Sequence, residues 1–134
     1  MRCAVYPLNS LKEYKYVVIL TRYENKIVLS RHRSRDTWET QGGHIEAGET
    51  PMDAAKRELW EESGAEDYDI FPLCDYWAAD EVSSANGQVF TAAVRLFGKM
   101  PDSEMKEIGF FDSLPENLTY PDITPILFAR LNKG

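Results

Sequence analysis

No stretch of this 134-residue chain approaches the run of roughly 20 apolar residues that a membrane-spanning helix needs. Cysteine is scarce. Cys3 and Cys74 are the only two and show neither redox nor metal-ligand spacing, so a disulfide scaffold is excluded and reduced, unreactive thiols are expected. The opening residues, MRCAVYPLNS, lack the apolar run of a secretory signal, and a cytoplasmic location is the expectation. Basic charge is also in short supply: 15 Lys and Arg stand against 22 Asp and Glu, for a net charge of −7. That balance excludes an extended basic surface for nucleic acid. Internal repeats, low-complexity tracts and linkers are missing, and the length suits one domain, residues 1–134.

What the chain does have is alternating order. Tyr16 to Arg22 and Lys26 to Arg33 are β-branched and apolar runs joined by Tyr23-Glu24-Asn25, a hairpin pattern. Ser34 to Gly43 reads as a loop carrying Trp38. Thr50 then reads as a helix N-cap, with Pro51 at the first helical position and Asp53 near the positive end of the dipole. This helix should end near Ser63, with Gly64 as its left-handed cap. Strands follow over Asp69 to Asp75 and Gln88 to Gly98, around a polar loop at Glu81 to Gly87. Ile108 to Phe111 is a short strand, and Thr124 to Asn132 an amphipathic helix. Strands flanking one helix, with a second helix at the end, predict an α/β fold: a mixed sheet covered on both faces, an α/β/α sandwich.

The predicted central helix carries Arg57-Glu58-Leu59-Trp60-Glu61-Glu62, which sets three carboxylates at i, i+3 and i+4. Those side chains share about a third of the helix circumference. Each like-charged pair repels by roughly 0.2–0.5 kcal/mol, which a bound cation would relieve. Carboxylate oxygens without Cys or His neighbours suit Mg²⁺, Mn²⁺ or Ca²⁺ rather than zinc. Between Gly43 and Ala65 six acids, Glu46, Glu49, Asp53, Glu58, Glu61 and Glu62, face Lys56 and Arg57, a local balance of −4. Such a site attracts an anionic phosphate only when cations invert its sign, so metal and anionic substrate imply one another.

A short acidic string alone is commonly a solvated helix face. Here it is embedded in a longer pattern. Gly43, Glu49, Arg57, Glu58, Leu59, Glu61, Glu62, Gly64 and Ala65 fit G-x5-E-x7-R-E-U-x-E-E-x-G-U, with U apolar. At average residue usage a chance match in a chain this long is on the order of one in ten million. The pattern is the Nudix box, and the chain resembles the Nudix hydrolase family. Ala65 is smaller than the aliphatic residue usual there. Gln41-Gly42-Gly43 stands where many relatives carry Pro-Gly-Gly, and loss of the proline is expected to relax the loop entering the box without removing a ligand.

The resemblance implies a Nudix-type α/β/α sandwich and assigns roles by position. Glu58, Glu61 and Glu62 correspond to the family's metal ligands, with the main-chain carbonyl of Gly43 as a further one. Arg57 corresponds to a residue that orients the box glutamates, with Glu49 as its partner. The implied cofactor is Mg²⁺, with Mn²⁺ as a substitute. In some members a loop glutamate distant from the box is the general base, and Glu104 and Glu107 are placed to serve. Arg31, Arg33 and Arg35, with His32 among them, form the one dense basic cluster: either phosphate contacts or a solvated sheet edge. Trp38, Tyr76, Trp77 and Phe90 are candidates for base stacking or for core.

The implied reaction is hydrolysis of a phosphoanhydride in a nucleoside diphosphate linked to another group. The small chain and Leu118-Thr119-Tyr120-Pro121 look like bacterial MutT-type members, so nucleoside triphosphates, including oxidised ones such as 8-oxo-dGTP, lead the expected substrates. RNA 5′-pyrophosphate removal and NDP-sugar hydrolysis are alternatives. The SQPWPFxS string of NADH-specific members is lacking. Isopentenyl diphosphate isomerase shares the fold but is longer and departs from the strict box, and a non-catalytic nucleotide sensor would have lost box glutamates. The resemblance also implies a small nucleotide partner and a homodimer.

Overall fold

In the computed structural model, which describes residues 1–133, Glu24 and Asn25 both take positive φ, 49° and 66°. Two consecutive left-handed residues make the tight turn whose twist matches antiparallel strands. They join β2 (Tyr14–Tyr23) to β3 (Lys26–His32), with Tyr23 opposite Lys26. Around this hairpin the remaining strands are β1 (Arg2–Tyr6), β4 (Trp38–Glu39), β5 (Gln41–His44), β6 (Ala65–Ala79), β7 (Ser84–Phe97) and β8 (Met105–Phe111). The helices are α1 (Pro51–Ser63) and α2 (Thr124–Lys133).

The strand order is β1-β6-β7-β2-β3-β4, with β5 also paired to β2 and β8 to β3. β2 and β7 run parallel and the other pairs antiparallel, so the sheet is mixed. Alternate residues divide the core between two layers, as the period of two in a strand requires. Val17, Ile19, Phe90, Ala92 and Val94 pack with Ala54, Ala55 and Leu59 of α1. Leu20, Leu29, Cys74 and Val89 pack with Leu127 and Phe128 of α2. The molecule is therefore an α/β/α sandwich, as its sequence predicts.

Helix α1 has the predicted boundaries. The Thr50 hydroxyl accepts from the Asp53 N–H at 3.1 Å, and the Asp53 carboxylate accepts from the Thr50 N–H at 3.2 Å. Such a reciprocal cap is worth about 1 kcal/mol. At the other end Gly64 takes φ 78° and its N–H closes on the Trp60 carbonyl at 2.8 Å.

Several sequence expectations need correction. Residues 2–6 form β1, which the sequence reading leaves unassigned. β6 extends beyond the expected run at both ends and β7 starts four residues earlier, because the added residues pair with each other across the two strands. Asp67 and Asp69 are held by Arg95 across the strands, at 2.8 and 2.7 Å. Asn86 and Gly87, expected within the polar loop, lie in β7, where a Cβ at Gly87 would run into the Tyr76 ring. The loop expected over Glu81 to Gly87 shrinks to a turn closed between Asp80 and Ser83 at 3.0 Å. The loop expected over Ser34 to Gly43 contains β4 and β5. Nor is its Gln41 loose: fully buried, it accepts from the Thr21 hydroxyl at 2.7 Å and donates to Ser30 Oγ at 2.9 Å and the Val28 carbonyl at 3.3 Å. The proline's place is filled by a hydrogen-bonded anchor.

Candidate active site

The α1 face that carries Glu58, Glu61 and Glu62 lies against β5, and close approach is possible because β5 contains Gly42-Gly43. A Cβ on Gly43 would stand 2.7 Å from Glu58 Oε1, so the glycine leaves room for that carboxylate where it lies. The Gly42 N–H donates to Glu62 Oε1 at 2.8 Å. The Glu62 carbonyl, one of the last in the helix and without an intrahelical partner, accepts from Ser30 Oγ at 2.7 Å.

Arg57 organises the other side. Its Nε and Nη2 donate to both oxygens of Glu49 at 2.7 and 2.9 Å, its Nη1 to Glu58 Oε1 at 2.8 Å and Glu61 Oε2 at 3.4 Å, and its Nη2 also to the His44 carbonyl at 3.0 Å. Glu46, exposed in the loop, is 3.8 Å from Nη1. The Arg57–Glu49 partnership expected from the sequence is present in this geometry.

The electrostatics follow from burial. Burial pushes the Glu62 carboxyl up to about 9 against the opposing Gly42 N–H, and the nearby charges of Glu58, Glu39 and Glu61 add to the rise. Burial also raises Glu58, opposed by Arg57. The Arg57 hydrogen bonds hold Glu49 down at about 2. Two crowded carboxylates largely kept from water, Glu58 and Glu62, thus sit beside a glycine backbone. Among the described residues no three of these side chains converge on one point, since Arg57 holds Glu58 and Glu61 while Gly42 holds Glu62. The donor set is nonetheless oxygen throughout and suits a hard divalent cation.

Of these residues Glu62, Gly42 and Gly43 line one end of a cleft of about 450 Å³, which runs along β2 and the ends of β6 and β7 to the start of α2. The other sequence candidates divide around it. Arg35 lines the cleft, 3.5 Å from Glu39 Oε1. Arg31 is paired with Glu107 and lies over the Trp38 ring, and Arg33 is paired with Asp102 at 2.9 Å; neither lines the cleft. Of the two candidate bases, Glu104 lines it, 3.5 Å from His32 Nε2, whereas Glu107 is engaged by Arg31. Among the aromatic candidates only Tyr76 lines the cleft. Phe90 is core, Trp38 packs edge-on against Phe111, and Trp77 lies under Arg2.

Sequence reasoning misses the partners that other strands bring in. Tyr16 and His44, opposite each other in β2 and β5, place their rings 4.4 Å apart on the cleft wall. Glu39 also faces the cleft and accepts from the Thr119 hydroxyl at 3.2 Å. The signal for Glu39 is its place between Trp38 and the Gly-Gly pair, but its approach to Glu62 depends on strand pairing.

Comparisons with known proteins bear on the family and the fold. The chain is 31% identical over 106 residues to the putative 8-oxo-dGTP diphosphatase YtkD of Bacillus subtilis (strain 168), a match covering 78% of this chain and 66% of that protein. It is 40% identical over 47 residues to an RNA pyrophosphohydrolase of Psychrobacter sp. (strain PRwf-1), covering 35% of this chain. That match spans 27% of the relative's length, about a quarter. The crystal structure of the Bacillus subtilis pyrophosphohydrolase BsRppH superposes with a TM-score of 0.83 at 24% identity, over 98% of this chain and 90% of that one, a likeness of fold. The NUDIX domain model matches residues 12–120, so the chain belongs to the Nudix domain family.

Proposed function

We propose that this chain is a divalent-metal-dependent Nudix hydrolase that cleaves a phosphoanhydride in a nucleoside diphosphate derivative. The observation that carries the reading is that Glu58 lies beside the Gly43 backbone and Glu62 is bonded to Gly42 at one end of the cleft, with Glu61 on the same helix face tied to Glu58 through Arg57. Glu58, Glu62, Glu61 and the Gly43 carbonyl would hold Mg²⁺, with Mn²⁺ as substitute. When bound, the cation neutralises phosphoryl charge and makes water nucleophilic near neutral pH. Arg57, itself held by Glu49, keeps Glu58 and Glu61 beside each other, and a cation would draw these carboxylates and Glu62 together from their present partners. Arg35 is the proposed phosphate contact, and Glu104, which lines the cleft just before β8, the proposed acceptor of the water's proton. The Tyr16 and His44 rings offer flat apolar surface to a base.

Nucleoside triphosphates, including 8-oxo-dGTP, are the leading substrates, a choice supported by the name of the B. subtilis relative. RNA 5′-pyrophosphate removal is the second reading, favoured by the RNA pyrophosphohydrolases that match over the box. It needs only the first nucleotides held, which an acidic protein can do. Among the described residues no helix is long and apolar enough to cross a membrane. A cytoplasmic location and a homodimer are proposed from the family resemblance alone.

The test is release of phosphate and pyrophosphate from a panel with and without Mg²⁺, with Glu58→Gln as the blank. The panel holds ordinary and 8-oxo dNTPs, NDP-sugars, ADP-ribose, dinucleoside polyphosphates and 5′-triphosphorylated RNA. Metal-dependent turnover of one class, lost in the variant, supports hydrolysis and names the branch. No turnover by folded, metal-binding protein on any member would instead favour a nucleotide-binding module.

A further inference from the structure

Beneath the C-terminal turn of α1 the sheet carries a polar island. Thr21, Ser30 and Gln41 are fully buried on three different strands, β2, β3 and β5. Their hydrogen bonds have one consistent direction. The Val28 carbonyl can only accept, so Gln41 Nε2 faces it at 3.3 Å, and the same amide group donates to Ser30 Oγ at 2.9 Å. The Ser30 proton is then free for the Glu62 carbonyl, which also only accepts, at 2.7 Å. Gln41 Oε1, on the other side, accepts from Thr21 at 2.7 Å.

Buried polar groups are costly unless fully bonded, and aliphatic side chains could fill this space without that risk. The arrangement has a consequence that aliphatic packing would lack. Gln41 reaches the main chain of Glu62 through Ser30, while the next residue, Gly42, donates its N–H to the Glu62 side chain at 2.8 Å. The path from Gln41 through Ser30 and Glu62 to Gly42 closes on itself. Glu62 is held at its carbonyl by Ser30 of β3, which Gln41 fixes, and at its carboxylate by Gly42, the next residue of β5.

We propose that Gln41 and Ser30 are positioning residues that hold Glu62 in register with β5 from inside the sheet. The proposal rests on the reading of Glu62 as a cation ligand. Neither residue reaches the cleft as a ligand itself; each acts through Glu62. Without the relay the helix end and β5 are free to shift relative to each other, and the site loses preorganisation rather than a donor.

The experiment measures Mn²⁺ binding directly, by the electron paramagnetic resonance signal of free Mn²⁺, together with Tm. The proteins are wild type, Gln41→Leu, Ser30→Ala, the double variant, Glu62→Gln and Leu29→Ala. Leu29 packs in the opposite layer, so its truncation reports what lost packing alone does. The expected result is an Mn²⁺ Kd about tenfold weaker in Gln41→Leu and in Ser30→Ala, at the low end for groups that orient metal ligands. The double variant should be no weaker than either single, because both break one path. Leu29→Ala should lower Tm and leave Kd unchanged. If the relay variants lower Tm yet bind Mn²⁺ as wild type does, the proposal is overturned and the island is ordinary core. Should Gln41→Leu fail to fold, Ser30→Ala, which removes a single hydroxyl, decides by the same two outcomes. Wild-type affinity in Glu62→Gln would overturn the ligand reading itself, a failure seen without any relay variant.

Discussion

Arg57 grips both carboxylate oxygens of Glu49, through Nε at 2.7 Å and Nη2 at 2.9 Å, while its Nη1 reaches Glu58 at 2.8 Å. One planar guanidinium therefore ties the loop before α1 to the carboxylate face of the helix. Lysine would keep the charge but could not satisfy two oxygens of one residue and a third on another. Arg57→Lys is expected to lower kcat/KM by about ten- to a hundredfold, the range for groups that orient metal ligands. Steady-state kinetics at saturating Mg²⁺ check this, with circular dichroism showing that the fold survives. Activity within twofold of wild type would mean that charge alone suffices.

The burial of Glu62 predicts a pH dependence of metal binding. With its carboxyl pushed up to about 9, the metal-free protein carries a proton there at neutral pH. A cation must displace that proton, so affinity should rise with pH and level off near 9. One displaced proton corresponds to about a tenfold change in Kd per pH unit. Calorimetric Mn²⁺ titrations between pH 6.5 and 9 measure the slope. Glu62→Gln should bind weakly and lose most of the dependence. A flat profile in the wild type would show that Glu62 is already ionised in the free protein.

Glu104 and Glu107 are three residues apart but differently engaged, and the contrast separates their roles. Glu104 is exposed and lines the cleft, whereas Glu107 is spent on Arg31. Glu104→Gln should lower kcat by about 10²- to 10⁴-fold, the usual contribution of a general base, with Mn²⁺ affinity unchanged. Glu107→Gln should leave kcat within a few-fold and lower Tm by releasing Arg31 from its partner. The reverse pattern in kinetics and melting would exchange the assignments.

The ease with which such residues are found from sequence varies for physical reasons. Helix α1 is legible at both ends because Thr50, Pro51, Asp53 and Gly64 act locally, within a turn of their own positions. The carboxylate face is legible for the same reason, since helical spacing alone aligns Glu58, Glu61 and Glu62. The cleft is not. Tyr16 meets His44, and Glu39 nears Glu62, only once β2, β4 and β5 pair, and pairing partners leave no trace in local composition. Gln41 shows this most clearly. In sequence it is a missing proline and a looser loop; in the sheet it lies opposite Ile19 with its amide fully bonded. Strand β1 goes unassigned because five residues beginning with arginine carry too weak an alternation to stand out, and β6 supplies the pairing that defines it.

Asp75 offers a test of stability away from the reacting groups. It is fully buried on β6, where one carboxylate oxygen accepts from Tyr14 Oη at 2.6 Å and Leu11 N at 2.9 Å, the other from Asn9 N and Gln88 Nε2 at 3.1 Å each. Burial alone would raise its carboxyl, but these donors outweigh it, with Tyr14 foremost, and hold it below the ordinary value. A depressed carboxyl stabilises the fold fully above the ordinary value of about 3.9, and that stability is lost as pH falls through the lower folded-state value. Tyr14 mirrors it. Burial and the bond to Asp75 push its hydroxyl up to about 12, so its contribution is complete below about 10 and is lost as pH rises through 12. Asp75→Asn puts an N–H₂ where two donors already point, leaving buried donors unpaired. The expected loss is about 3 kcal/mol at pH 7, measured by urea unfolding. Because the variant has no carboxyl at this position, its stability should vary less than that of wild type below pH 4. Equal acid sensitivity in both proteins would assign the acid transition to other carboxylates and leave Asp75 as a neutral hydrogen-bonding post.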